Sequence, residues 1–232
     1  MRYVYLHGFA SSPDSRKAQA FARTFETQGI ALEIPALDGG DFEHQTISSQ
    51  LSVVEKLVQG EAACLIGSSM GGYLAALYAS QHPETERLVL LAPAFNFPGR
   101  WVARADHDGR WSATGWLEVY HYGDKQQRRL HYGLIEDARQ YPPTPDIDQP
   151  CLILHGTNDD TVPVAESREF AARHPAEKFG RGGLQRHKTR DRLPPLGDHN
   201  FPVVLLHIIQ HLQTLRFEFP GRYSHIPMVI LP

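Results

Sequence analysis

The run Leu65-Ile66-Gly67-Ser68-Ser69-Met70-Gly71-Gly72 constrains this chain more than any other stretch, because it drives an apolar strand directly into a helix. Residues 62–66 are a short apolar segment suited to a buried parallel strand. Residues 73–79 follow with good helix formers and an apolar face at i, i+3 and i+4. The spacing Gly67-x-Ser69-x-Gly71 predicts a sharp, strained turn that exposes the Ser69 hydroxyl at the end of the strand. The glycines serve that turn, since a Cβ at either position would collide with crowded backbone. Ser69 is therefore the candidate nucleophile, set against the alternative of a structural turn with a spare hydroxyl.

A serine hydroxyl attacks poorly unaided, so the chain must also supply a base, a group to orient it and donors for an oxyanion. Tyr3-Val4-Tyr5-Leu6 is strand-like and ends in His7-Gly8-Phe9. The amides of Phe9, and of Met70 directly after Ser69, are the candidate oxyanion donors. Cys151-Leu152-Ile153-Leu154 is a second buried-strand run, followed by His155-Gly156-Thr157-Asn158-Asp159-Asp160. A carboxylate on such a loop can hold an imidazole and stabilise its cation. Asp159 and Asp160 compete for that role, although Asp160 also reads as a charge near the start of a helix over 165–173.

Five stretches carry a wider pattern. They are Tyr5-Leu6-His7-Gly8-Phe9-Ala10-Ser11-Ser12-Pro13, Gly67-Ser68-Ser69-Met70-Gly71-Gly72, Leu90-Leu91-Ala92-Pro93-Ala94-Phe95, Leu134-Ile135-Glu136-Asp137-Ala138-Arg139-Gln140-Tyr141-Pro142 and the 155–163 loop. Together, over residues 2 to about 177, they resemble the small bacterial α/β-hydrolases called YqiA-type esterases. The resemblance implies the α/β-hydrolase fold: an open, mainly parallel sheet with helices on both faces and a small cap insertion. It implies a serine hydrolase acting on esters, without identifying a physiological substrate. The spacing Gly156-x-x-Asp159-x-x-Val162-Pro163 is similar to the family pattern at Asp159. His7 reads as structural, because the order in this fold is serine, acid, histidine.

Beyond Lys178 the chain departs from the family pattern, which has a last strand and then an Asp-His pair. Phe179-Gly180-Arg181-Gly182-Gly183-Leu184-Gln185-Arg186-His187 is a poor buried strand, with three glycines and two arginines. Two histidines compete for the base. His187 is where an ungapped alignment lands, and Lys188, Asp191 and Leu193 also echo the family. His199 sits in Gly197-Asp198-His199-Asn200-Phe201, ahead of an amphipathic helix expected over 203–215. His187 is favoured, with His199 the alternative. A shifted reading frame is one origin of the break: codons for 179–187 read one base later can encode Leu-Val-Glu-Val-Asp-Ser-Ser-Asp.

The order of elements predicts one domain over 1–232. Strands over 2–6, 30–34, 62–66 and 87–91 alternate with helices over 15–27 and 48–58 and the helix after the elbow. Catalytic groups then gather at the carboxyl ends of the strands. The insertion at about 94–149 holds all three tryptophans, Trp101, Trp111 and Trp116, with Phe95, Phe97, Tyr120, Tyr122 and Tyr132. At least one of these rings is expected to line an apolar acyl or aryl site while others pack the cap onto the core. The divergent C-terminal segment is about 179–232.

A chain of 232 residues suffices for one such core, and a formal net charge of −3 offers no electrostatic case for nucleic-acid binding. Cys64 and Cys151 lie in apolar strand runs and read as buried hydrophobes. The strand starting at Arg2 and the lack of an 18-residue apolar run point to the cytoplasm, without membrane insertion. The histidines show no zinc-site spacing, so neither metal nor cofactor is expected. The expected partner is a small-molecule ester. The leading reading is a serine carboxylesterase for short-chain acyl esters. A thioesterase or other acyl hydrolase with the same triad is the alternative, as is a noncatalytic binding protein with a degenerate triad.

Overall fold

The computed structural model describes residues 1–174 and the backbone of a strand at Met228–Leu231. Strands β1 (Arg2–Leu6), β2 (Ala63–Ser68), β3 (Thr85–Leu91) and β6 (Cys151–Gly156) are joined by helices. These are α1 (Arg16–Glu26), α2 (Ile47–Val58), α3 (Met70–Gln81) and, after β6, α7 (Val164–Arg173). The sheet runs β1-β2-β3-β6-β7, with β7 at Met228–Leu231. The first three pairings are parallel, and β6–β7 is antiparallel.

Alternation along the strands feeds two cores. Val4, Leu6, Leu65, Leu88, Leu90 and Ile153 face one side, where α2 and α3 cover them. Tyr5, Ile66, Val89, Leu91 and Leu154 face the other and pack on Ala18, Phe21 and Phe25 of α1. Parallel strands buried on both faces explain why these segments read as continuous apolar runs. The α1 helix starts where Ser15 accepts a bond from the Ala18 amide, and α2 starts at a Thr46–Ser49 capping box. Cys64 and Cys151 are free and buried, and burial pushes the Cys64 thiol up to about 12.

The strand expected over 30–34 is reduced to one parallel bridge, Val4 with Glu33. Glu33 N–H donates to Tyr3 O at 2.9 Å, and Tyr5 N–H donates to Glu33 O at 2.8 Å. The next rung would need a donor at position 35, which is proline, so the ladder stops. The pairing of β7 on the outer edge of β6 was not anticipated from the sequence.

Between β3 and β6 lie α4 (Phe97–Ala105), α5 (Arg110–Thr114), the hairpin β4 (Trp116–His121) and β5 (Gln126–His131), and α6 (Gly133–Ala138). Trp111 anchors this insertion, buried with its indole N–H on the Leu130 carbonyl at 3.1 Å. The hairpin turn docks on the loop after β1, where Tyr122 N–H donates to Ala10 O at 2.7 Å. Among the described residues no helix is long and apolar enough to cross a membrane.

Candidate active site

Ser69 is the single residue between β2 and α3, with φ 55° and ψ −119°. Such a backbone costs a non-glycine residue on the order of 1–3 kcal/mol and persists only when its surroundings enforce it. Here they do. Ser69 N–H donates to Leu91 O at 2.9 Å, and Ser69 O accepts from Gly72 and Ala94, each at 2.9 Å. A Cβ on Gly67 would overlap the Gly71 carbonyl, and one on Gly71 would overlap the Leu6 and His7 carbonyls. The two glycines of the motif let α3 start in contact with the ends of β1 and β2.

The two serines of the turn have different environments. Ser68 is buried, accepts from Lys17 Nζ at 3.0 Å and is bonded to the Tyr5 phenol. Ser69 is half-buried, and its hydroxyl has no hydrogen-bond partner among the described residues. Gly8 passes beside it: a Cβ there would stand 3.4 Å from Ser69 Cβ and 4.0 Å from Ser69 Oγ. The backbone N–H groups of Phe9 and Met70 have no backbone acceptor among the described residues. Among the described residues, Ser69 thus has an unbonded hydroxyl beside the Gly8-Phe9 segment and next in the chain to the Met70 amide.

His7 braces this loop. Leu37 N–H donates to its Nε2 at 3.4 Å, which leaves the ring proton on Nδ1 to donate to Gly8 O at 3.0 Å. Burial lowers its pKa and favours that neutral form.

The loop after β6 is built around Asp159. Its Oδ1 accepts from the amides of Thr161 and Val162, both at 2.9 Å, so the carboxylate closes its own turn. Its Oδ2 lies 3.7 Å from Nε2 of His155, and the Asp159 side chain is 13% exposed. Asp160 is exposed and accepts only from the Thr161 hydroxyl at 3.3 Å among the described residues. His155 is buried, with Nε2 donating to Val162 O at 2.8 Å and Nδ1 accepting from Ser167 Oγ at 2.7 Å. Burial holds it neutral, and it pins the loop to α7. From α4, Arg100 reaches Thr161 O and Glu166 Oε1, each at 3.4 Å, and feels the Asp159 charge.

Ser69, Phe9, Met70 and Asp159 therefore sit at the carboxyl ends of β2, β1 and β6, and the first three adjoin one another. His187 and His199 lie outside the described residues, as do the expected 203–215 helix and the rest of the divergent segment. Lys17 and Arg100 interact electrostatically with Asp159 without any motif to announce them, whereas His155 opens the 155–163 stretch itself.

Half-buried aromatic rings border the site. Phe9 meets Trp101 of α4 edge-on at 4.4 Å and lies 5.7 Å from Phe42. Trp101 in turn contacts Phe97 and Trp111. Phe95, Phe97, Trp111 and Tyr132 are core residues, whereas Tyr120 and Tyr122 are exposed.

Comparison with known proteins bears on this geometry. An uncharacterised protein family, UPF0227, matches residues 2–190. A biotin biosynthesis bifunctional protein BioHC of Teredinibacter turnerae is 34% identical over 97 residues, 38% of this chain and 16% of that protein. The human mitochondrial palmitoyl-protein thioesterase ABHD10 is 26% identical over 192 residues, 73% of this chain and 60% of that protein. The chain thus matches less than two thirds of either relative. The structure of mouse alpha/beta hydrolase domain-containing protein 10 superposes with a TM-score of 0.63 at 20% identity, covering 92% of this chain and 88% of that one. The fold is that of the α/β-hydrolases.

Proposed function

We propose that this chain, which belongs to the uncharacterised protein family UPF0227, is a serine carboxylesterase that hydrolyses short-chain acyl esters. The observation that carries the reading is the backbone of Ser69, forced to φ 55° and ψ −119° with its hydroxyl left unbonded among the described residues. A strained backbone at a serine on the carboxyl end of a central strand supports a role for its hydroxyl in binding or chemistry. In the proposed reaction Ser69 Oγ attacks the acyl carbon while a histidine takes its proton. The Phe9 and Met70 amides receive the charge that develops on the carbonyl oxygen. Collapse of the intermediate expels the alcohol, which takes the proton back from the histidine. Water, deprotonated by the same base, then releases the acid and frees Ser69.

Asp159 is proposed to orient the histidine, supported by its covered position and the two amides that fix its Oδ1. His187 is the proposed base. The family match, which ends at residue 190, includes it and stops short of the alternative, His199. The insertion is proposed to act as a cap, with Trp101 and Phe9 lining the acyl side. No step requires a metal or cofactor. The likeness to ABHD10 supports a second reading, a thioesterase using the same Ser69.

Hydrolysis of short p-nitrophenyl esters by Ser69→Ala and Ser68→Ala tests the assignment. Ser69→Ala abolishes turnover, and Ser68→Ala retains a substantial part of it. Comparable losses from both would contradict the role of Ser69. Side-by-side rates on matched oxygen esters and thioesters separate the two enzymatic readings.

A further inference from the structure

The β4–β5 hairpin forms a two-stranded sheet of its own, and its turn docks against the loop that follows β1. The contact falls on Ala10, the residue after Phe9, whose carbonyl accepts from Tyr122 N–H at 2.7 Å. Ala10 is buried and has φ 51°, a left-handed backbone that a residue with a Cβ keeps only when its surroundings enforce it. Tyr122 gives this contact its backbone alone, because its ring is 70% exposed and meets Tyr120. Beside it Gly123 lies flush with the loop: a Cβ there would stand 2.7 Å from Ser12 Cβ. His121, buried at the end of β4, meets Phe42 edge-on at 4.6 Å, and Phe42 lies 5.7 Å from Phe9. The hairpin therefore reaches Phe9 by two routes, through the backbone of Ala10 and through the ring of Phe42.

We propose that the tip of the β4–β5 hairpin positions the Phe9 amide: the Tyr122 N–H, by holding the Ala10 carbonyl, keeps Ala10 left-handed and so sets the course of the chain through Phe9. The inference rests on the hydrolase reading above, in which that amide receives the oxyanion. A donor stabilises developing charge only when it is already aimed, because reorienting it during the reaction gives back the gain. An alanine released from the contact relaxes toward negative φ, and the chain turns away one residue from the donor. The insertion thus has a second task besides walling the acyl group: its hairpin braces the loop that carries the donor. Glycine at position 10 reaches the same conformation without a brace, since it lacks the Cβ that makes positive φ costly.

The test is turnover of p-nitrophenyl acetate by wild type, Tyr122→Pro, Tyr122→Ala and the double variant Tyr122→Pro with Ala10→Gly. Circular dichroism checks each fold, and hydrogen exchange read by mass spectrometry follows residues 8–12. Proline removes the Tyr122 N–H, which serves no rung of the hairpin, and His121 before it is already extended, as a residue before proline must be. Tyr122→Pro lowers kcat about tenfold with KM changed less than about twofold, short of the roughly hundredfold cost of losing a donor outright. Its 8–12 segment exchanges faster than that of wild type. Tyr122→Ala keeps the N–H, and its kcat exceeds that of Tyr122→Pro at least about fivefold. Adding Ala10→Gly to Tyr122→Pro recovers about threefold or more, a rescue that general loosening of the insertion does not give. Should Tyr122→Pro not fold, Gly123→Ala, whose methyl group pushes on Ser12, is read in the same way with and without Ala10→Gly. Tyr122→Pro with the kcat of wild type overturns the inference, as does a loss that Tyr122→Ala shares in full or that Ala10→Gly leaves unrelieved. A wild-type protein with neither turnover nor labelling at Ser69 instead overturns the hydrolase reading, a distinct result.

Discussion

Gly71 is seated so closely on Leu6 that a single methyl group at its Cα would overlap the Leu6 carbonyl. This contact wedges the first turn of α3 onto the end of β1, and it holds the Met70 amide near the Gly8-Phe9 segment. Gly71→Ala must push two backbone segments apart, since neither obstacle is a side chain that can swing away. The expected cost is at least about 2 kcal/mol, the scale of overpacking a rigid core. Chemical denaturation checks it, and a variant as stable as wild type would contradict the wedge.

Lys17 also makes a prediction about stability. Burial lowers its pKa from the ordinary 10.5 to about 8. The unfolded chain therefore binds more protons than the folded one between those values, and this residue's contribution to stability rises with pH across that window. Below pH 8 the folded state carries the full cost of the buried charge. Lys17→Met removes that cost, so its stability advantage over wild type is largest near pH 7 and shrinks between pH 8 and 10. Urea melts across that range measure it; an advantage that grows with pH would contradict the burial of the ammonium.

Phe9 and Trp101, proposed to line the acyl side, make a prediction about chain length. A short apolar wall suits small acyl chains, so rates on p-nitrophenyl esters fall from butyryl to palmitoyl. Trp101→Ala opens the wall, raising KM for short esters about tenfold while the disadvantage of long chains narrows. Rates rising steadily from acetyl to palmitoyl in the wild-type protein would contradict this reading.

The base is decided by two substitutions. His187→Ala lowers kcat by three orders of magnitude or more, and His199→Ala leaves most of it, because an unassisted serine hydroxyl is a poor nucleophile. The opposite pattern assigns the base to the 197–201 segment. Full activity in both would remove the histidine from the mechanism.

Much of this was legible in the sequence because backbone crowding leaves a strict mark. Only glycine fits at 67 and 71, and the apolar runs at 2–6, 62–66 and 151–154 announced buried parallel strands. The loop around Asp159 was legible for a similar reason: a side chain that closes its own turn fixes a local spacing. The weak points were non-local. Composition favours a strand over 30–34, but pairing depends on which amide faces β1, and proline stands where the next donor is needed. The contacts of Lys17 with Ser68 and of Arg100 with Thr161 each span more than 50 residues of chain, and no short motif encodes them.

The central claim, that Ser69 is an activated nucleophile, is tested most directly by treating the folded wild-type protein with a fluorophosphonate and locating the adduct by peptide mass spectrometry. Attack by Ser69 Oγ on phosphorus expels fluoride and leaves a stable phosphonyl ester. The account predicts stoichiometric modification at Ser69, none at Ser68, and no reaction in Ser69→Ala. An unmodified protein, or an adduct on another residue that persists in Ser69→Ala, would contradict it.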